Sequence, residues 1–170
     1  EAVPGSRLAL CAMPLADAQV RRFTLARFAA QGVETRRVLL LPPRRPLAAF
    51  LAQYDAVDVA LDPLPFNGGT TTLQALWQGV PVLSLPGASM QQRMGASILG
   101  AAGLEAQCLA EDAAHYVSLA QALAAQRGAL LELRRGLRER LASVLDARDF
   151  AARFGAALTR FVAGDAHAHA

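Results

Sequence analysis

Residues 67–72 read Asn-Gly-Gly-Thr-Thr-Thr and lie between a strand-like apolar run and a helix-like apolar run. Because glycine carries no side chain, Gly68 and Gly69 let the backbone approach a ligand closely. The helix is predicted to begin near Thr70 or Thr71, and its first N–H groups lack partners within the helix. Those donors and the positive end of the helix dipole suit a phosphate or pyrophosphate. The segment therefore favours a phosphate-binding cradle.

The same six residues also have a purely structural interpretation. A Gly-rich turn from strand to helix with a threonine as the N-cap needs no ligand. The segment matches neither the dinucleotide-binding GxGxxG pattern nor the P-loop, and the chain has no lysine with which to complete a P-loop. Gln74, one turn into the helix, could reach a ribose hydroxyl or face water. Residue chemistry alone leaves both interpretations open.

The elements that must position this segment alternate between strand and helix, which indicates an α/β fold with a Rossmann-like, doubly wound parallel sheet. We predict strands over residues 6–12, 37–41, 57–62, 81–85 and 106–110. The loop Pro-Pro-Arg-Arg-Pro follows the second of these and carries Arg44 and Arg45. Ligands of such sheets lie at the carboxyl ends of the strands. Both loops are therefore expected at one edge of the sheet.

Three helical segments are predicted after the last strand. Two of them carry apolar stripes at helical spacing, which we interpret as core seams. The stripes are Leu130, Leu133, Leu137, Leu141 and Val144, and Phe150, Phe154, Leu158 and Phe161. Residues 1–163 are expected to form a single Rossmann-like lobe, and 164–170 a flexible tail.

Composition narrows the function classes. The net charge is only +3, and six arginines between residues 127 and 148 are interleaved with acidic residues, which is typical of a solvated helix face and not of a nucleic-acid surface. No apolar run approaches the roughly 20 residues of a membrane span. Cys11 and Cys108 are predicted to be buried and unpaired, and three scattered histidines make no metal site. We expect a cytoplasmic protein without metal or membrane partner.

Two stretches are similar to a known family. "VPGSRL" at residues 3–8 and "DVALDPLPFNGGTTTLQALWQGVPVLSLPG" at residues 58–87 resemble the C-terminal lobe of O-linked N-acetylglucosamine transferases, which include the plant SPINDLY proteins. The similarity runs from about Val3 to Phe161. It implies one lobe of a GT-B glycosyltransferase whose donor is UDP-N-acetylglucosamine and whose acceptor is a serine or threonine hydroxyl of a protein. Such lobes usually follow a tetratricopeptide array.

The resemblance also implies roles for individual residues. The diphosphate would lie on Asn67, Gly68, Gly69, Thr70 and Thr71 at the helix start. The loop after the second strand would frame the uracil and ribose, a role that falls on Arg44, Arg45 and Phe50, with Gln74 near the ribose. We expect no cofactor, because the nucleotide sugar is a substrate.

Four positions depart from the family's pattern. Many members have a histidine where Gly69 stands, an aspartate where Gln74 stands and a histidine where Phe50 stands, and the basic residue of the ribose loop is replaced by Arg44 or Arg45. Two alternatives follow: a degenerate, non-catalytic lobe that acts as an interaction module, or the lobe of another GT-B sugar transferase.

The resemblance assigns no catalytic residue to this chain. In the family, the N-terminal catalytic lobe supplies the acceptor surface, a candidate base and a lysine for the leaving diphosphate. The implied partners are therefore a UDP-sugar, that second lobe and an acceptor protein, and we expect the isolated chain not to turn over. An apolar face without its partner lobe could instead drive homodimerisation.

Overall fold

The computed structural model describes residues 2–163. Four strands and eight helices alternate and then give way to helices alone. In chain order they are β1 (Leu8–Cys11), α1 (Ala18–Ala30), β2 (Val38–Leu41), α2 (Leu47–Leu51), β3 (Ala60–Leu61), α3 (Thr70–Trp77), β4 (Val82–Leu83), α4 (Met94–Ala101), α5 (Glu105–Cys108), α6 (Ala113–Ala125), α7 (Arg127–Val144) and α8 (Ala147–Val162). Short 3-10 turns lie at Met13–Ala16, Thr35–Arg37, Ala52–Ala56 and Met90–Gln92. The predicted tail over 164–170 lies outside the described residues.

The strands form two parallel ladders. β1 pairs with β2 from Leu8 opposite Val38 to Cys11 opposite Leu41. β3 pairs with β4, with Ala60 opposite Val82. Parallel strands joined through helices confirm the predicted α/β class, and the four strands lie within the first four predicted runs.

The predicted fifth strand over 106–110 is wrong. Residues 105–108 form the one-turn helix α5, and only Leu109 makes a parallel bridge, to Ser84. The physical reason is the spacing of the buried side chains. Leu104 and Cys108 are both fully buried and lie four residues apart, while the residues between them are exposed. That spacing suits a helical turn better than a strand.

The main core lies between α3, β4, α4 and α7. Leu76, Leu83, Leu99, Leu137 and Leu141 are its largest members, and α6 covers it from outside with Tyr116 and Leu119 among others. A smaller cluster joins Leu15, Val38 and Leu40 to the inner side of α1. The α7 stripe is thus a core seam, as predicted.

The α8 stripe is not a core seam, and that prediction is wrong. Phe150, Phe154, Leu158 and Phe161 are between 49% and 72% exposed. The rings of Phe150 and Phe154 stack on each other with centroids 5.7 Å apart instead of entering the core. The α3, α4 and α7 side chains already fill that core, so the stripe faces outward.

The two cysteines also differ. Cys108 is buried, and burial raises its thiol pKa to about 11. Cys11 is exposed at the end of β1, contrary to prediction. No helix within residues 2–163 combines the length and apolar character needed to cross a membrane.

Candidate functional site: the loop between β3 and α3

The loop begins where β3 ends. The N–H of Asp62 still donates to the carbonyl of Leu83 at 2.8 Å, which extends the ladder by one bond. Pro63 and Pro65 have no N–H to offer, so the pairing stops there. The next backbone hydrogen bond of the loop is at Asn67, whose N–H donates to the Gln91 carbonyl at 3.1 Å.

The buried carboxylate of Asp62 joins the loop to the sheet. Its Oδ1 accepts from the N–H of Gly68 at 2.6 Å. Its Oδ2 accepts from the hydroxyl of Ser84, just beyond β4, also at 2.6 Å. Burial raises the pKa of the Asp62 carboxyl, and these two hydrogen bonds lower it in part. A buried acid with both oxygens occupied is a fixed part of this site.

Tyr116 of α6 contacts the carbonyl that also accepts the hydrogen bond from the Asp62 N–H. Its hydroxyl donates to the Leu83 carbonyl at 3.2 Å. Burial, together with the nearby charge of Asp62, raises the pKa of Tyr116 to about 12. The phenol therefore stays protonated at physiological pH and acts as a donor here.

Two glycines are required by close packing around this carboxylate. A Cβ on Gly68 would lie 2.6 Å from the Thr71 hydroxyl oxygen and 2.7 Å from that of Thr72. A Cβ on Gly95 of α4 would overlap the side chains of Ser84 and Asp62. Glycine at both positions lets the loop and α4 come within contact of the sheet edge.

Helix α3 begins without a side-chain cap. Its N-cap residue is Gly69, and the predicted threonine N-cap is therefore wrong. The Thr72 hydroxyl donates to the Gly68 carbonyl at 2.9 Å, whereas Thr70 and Thr71 are exposed. The first α-helical bond runs from the Leu73 N–H to the Gly69 carbonyl, so the N–H groups of residues 70–72 precede the helical ladder. Such a start presents donors to an anion.

The side chain of Asn67 is fully buried and its amide is unsatisfied. Neither Oδ1 nor Nδ2 has a hydrogen-bond partner within the described residues. Leaving a buried polar group unpaired costs about 1–3 kcal/mol. A native protein usually meets that cost with a ligand, an ion or an ordered water.

Phe50 of α2 is linked to the start of α3 through Tyr54. The two rings meet edge to face with centroids 6.2 Å apart. The Tyr54 hydroxyl donates to the Thr71 carbonyl at 3.4 Å, and burial raises the pKa of this phenol. Phe50 thus lies on the same side of the molecule as the uncapped helix start.

The remaining predicted residues are less closely connected. Arg44 and Arg45 are exposed in the loop between β2 and α2, and their guanidinium groups make no hydrogen bond or ion pair with the part of the chain that the structure describes. Gln74 is half-buried one turn into α3. Residues 2–163 contain no group of three side chains arranged to hold a metal ion.

Sequence reasoning missed four residues of this site. Asp62 lies at the end of a predicted strand, and an acid at the carboxyl end of a strand was a usable signal. Ser84, Tyr54 and Gly95 gave no signal, because only the folded chain brings the end of β4, the 3-10 turn after α2 and helix α4 to the loop.

Comparison with known proteins gives consistent matches. A family model described as glycosyl transferase family 41 matches residues 1–154. A rice (Oryza sativa subsp. japonica) protein named "Probable UDP-N-acetylglucosamine--peptide N-acetylglucosaminyltransferase SPINDLY" is 37% identical over 88% of this chain. An Arabidopsis thaliana protein with the same name ending in SEC is 32% identical over 80% of it.

A solved structure of a point mutant of the Thermobaculum terrenum O-GlcNAc transferase superposes with a TM-score of 0.86. It is 38% identical and covers 94% of this chain. The chain spans 16% of the length of the rice relative and 31% of the solved chain.

Proposed function

Because the chain belongs to glycosyl transferase family 41, we propose that it is the donor-binding lobe of a larger GT-B enzyme that transfers N-acetylglucosamine from UDP to a protein hydroxyl. The names of the relatives state this donor and a peptide acceptor. The chain covers only a small part of those relatives, so the second lobe would supply the acceptor surface.

One observation carries the proposal: the uncapped start of α3 lies beside a buried, unsatisfied asparagine. In this proposal the donor's diphosphate lies on the N–H groups and hydroxyls of Thr70 and Thr71, with the N–H of Gly69. Gly68 supports the turn and does not bind phosphate, since its N–H is already given to Asp62. The Asn67 amide lies at the start of the same turn and would meet a polar group of the donor or a water that the donor orders.

The nucleoside would lie toward α2. Phe50 would offer an aromatic surface to the uracil, and Tyr54 meets its ring edge to face. Gln74 would bond a ribose hydroxyl through its amide, and the exposed guanidinium groups of Arg44 and Arg45 would approach the ribose and phosphates from the loop before α2. No step of this requires a metal ion.

Positioned N–H donors have a chemical role in transfer. The departing UDP gains negative charge as the bond to the sugar breaks, and donors fixed at that position stabilise the charge. The N–H groups and hydroxyls of Thr70 and Thr71 would supply part of this charge stabilisation. Positioning of the acceptor and removal of its proton fall to the second lobe.

The uncovered stripe of α8 supports the expectation of a partner lobe. Exposed apolar side chains that line up along a helix mark an interaction surface more often than a solvated one. The same stripe also favours the second candidate, a lobe that has lost donor binding and serves only as an interaction module.

Calorimetric titration with UDP separates the two candidates. We expect the full chain to bind UDP saturably and more tightly than GDP. The double variant Thr70→Ala, Thr71→Ala should lose about tenfold or more in affinity, because two donors to a charged group are removed.

The matched control is Thr159→Ala. Thr159 lies on α8 and its hydroxyl bonds the Gly155 carbonyl of its own helix, so UDP affinity should not change. A folded wild-type chain that binds no UDP at millimolar concentration would favour the interaction module.

A further inference from the structure

We propose that Asp62 is a positioning residue of the donor site: its carboxylate holds the Gly-Gly turn so that the N–H groups at the start of α3 face the diphosphate. This inference rests on the function proposed above. Asp62 itself touches no donor atom in this arrangement. It acts through the backbone of Gly68.

The hydrogen bonds of the Asp62 carboxylate to Gly68 and to Ser84 form a tether between the loop and the sheet. The sheet side of this tether is rigid. The backbone of Asp62 is fixed by its N–H bond to the Leu83 carbonyl. Ser84, which holds Oδ2, is fixed on both sides, because its N–H donates to the Cys108 carbonyl and its carbonyl accepts from Ala110, each at 2.9 Å. Gly95 of α4 lies close against the pair, since a Cβ there would overlap the Ser84 hydroxyl oxygen and Asp62 Oδ2.

On the loop side, the backbone of Gly68 and Gly69 must be restrained. Two adjacent glycines have more backbone freedom than any other pair of residues, and that freedom must be restrained before a ligand can be bound in one geometry. Besides the Asp62 bond, residues 67–69 are restrained by three hydrogen bonds: the Asn67 N–H donates to the Gln91 carbonyl, the Thr72 hydroxyl to the Gly68 carbonyl and the Leu73 N–H to the Gly69 carbonyl. The Asp62 bond is the shortest of these four and the one whose acceptor is a carboxylate.

The chemistry of the two donors explains why an acid occupies the position. Gly68 offers an N–H and Ser84 an O–H, and a carboxylate accepts from both at once. An asparagine could also serve, since its Oδ1 would accept from Gly68 while its Nδ2 donates to a rotated Ser84 hydroxyl. An alanine could hold neither. This difference makes Asn and Ala a discriminating pair of variants.

The experiment is UDP titration of the full chain and three single variants. Asp62→Ala should weaken UDP binding about tenfold or more, because a hydrogen bond to a charged group no longer orders the loop. Asp62→Asn should stay within about threefold of wild type. Ser84→Ala removes the partner of Oδ2 but leaves the Gly68 bond, so it should lower the melting temperature and leave UDP affinity within about threefold.

Opposite outcomes overturn the proposal. It fails if folded Asp62→Ala binds UDP like wild type, or if Asp62→Asn is as weak as Asp62→Ala. It also fails if Ser84→Ala loses as much UDP affinity as Asp62→Ala, because Asp62 would then act only through general stability. If wild type does not bind UDP while remaining folded, it is the proposed function that fails.

A measurement on the wild-type chain keeps the inference testable if Asp62→Ala does not fold. Amide exchange followed by NMR should find the Gly68 N–H strongly protected before UDP is added, and the N–H groups of Thr70 and Thr71 protected only afterwards. A Gly68 N–H that exchanges as fast as those two in the free protein would contradict a preformed tether.

Discussion

Helices α7 and α8 carry apolar stripes with the same helical spacing, and the fold treats them oppositely. On α7, Leu137 and Leu141 are buried against the core that α3 and β4 build. On α8, the corresponding phenylalanines and leucine face solvent. A periodic stripe thus indicates that a helix has one apolar face. It does not indicate whether the same chain provides the surface that covers it.

Local signals explain why α8 is nevertheless a helix. Asp146 caps its start by accepting from the N–H groups of Arg148 and Asp149, each at 2.9 Å. One turn later Arg153 pairs with Asp149 at 2.7 Å. By contrast, α7 has no side-chain cap and depends on packing, with its Arg134 bonded to the carbonyls of residues 57 and 58 ahead of β3.

The largest expected effect comes from truncating one leucine in each stripe. Leu141→Ala should lower the free energy of unfolding by about 3 kcal/mol, because it leaves a cavity in a filled core. Leu158→Ala removes the same atoms from an exposed position and should change it by about 0.5 kcal/mol or less. Urea denaturation of both variants measures the difference. Equal losses would mean that α8 is covered in solution.

Glycine-to-alanine substitutions in two helices should differ in sign. Gly95→Ala in α4 would push a methyl group into Ser84 and Asp62, and overpacking of this kind costs about 1–3 kcal/mol. Gly155→Ala in α8 meets nothing within 4 Å. It should stabilise by about 0.5–1 kcal/mol through helix propensity. Thermal melts compare the two, and a stabilised Gly95→Ala would refute the packing described around Asp62.

The double variant Leu158→Gln, Phe161→Gln should have the smallest effect on stability. It should have the largest effect on self-association. Glutamine is a good helix former and the stack of Phe150 on Phe154 is left intact, so stability should change by about 0.5 kcal/mol or less. We expect the wild-type chain to self-associate with rising concentration in sedimentation runs and this variant to stay monomeric.

The control for that experiment is Phe23→Gln. Phe23 is as exposed as the α8 residues but lies alone on α1 beneath Arg27. It should leave association unchanged. If the wild-type chain is monomeric at all concentrations, the exposed α8 stripe does not drive self-association of the isolated chain.

Much of the α/β order followed from the sequence, because it depends on apolar runs and on proline and glycine at their ends. Residues 37–41 and 81–85 each contain an observed strand for that reason. The error at residues 106–110 arose because the sequence does not show which side chains of so short a segment are buried, and therefore does not fix its period. Tertiary packing of Leu104 and Cys108 decided it.

The candidate site was predictable in part. The glycines and threonines predicted a helix start near Thr70, and α3 does begin there, without a side-chain cap. That an anion binds to this start stays a prediction. The support beneath it could not be read from the sequence, because Asp62, Ser84 and Gly95 belong to three elements that meet only when the chain folds. The roles of Arg44, Arg45, Phe50 and Gln74 toward a donor stay predictions.

The two separate ladders have a consequence for the order in which the chain folds. Leu8 pairs with Val38, and Ala60 with Val82, so each ladder closes its own loop of modest length without the other. Asp62, Ser84 and Gly95, which meet beneath the loop between β3 and α3, all lie in the second of these segments or in its continuation through residue 110. During synthesis this segment can pair before α7 exists, but Leu76 and Leu83 gain full cover only when Leu137 and Leu141 arrive. The loop between β3 and α3 can therefore form its hydrogen bonds to the sheet early, whereas the core beneath it is completed only when α7 packs.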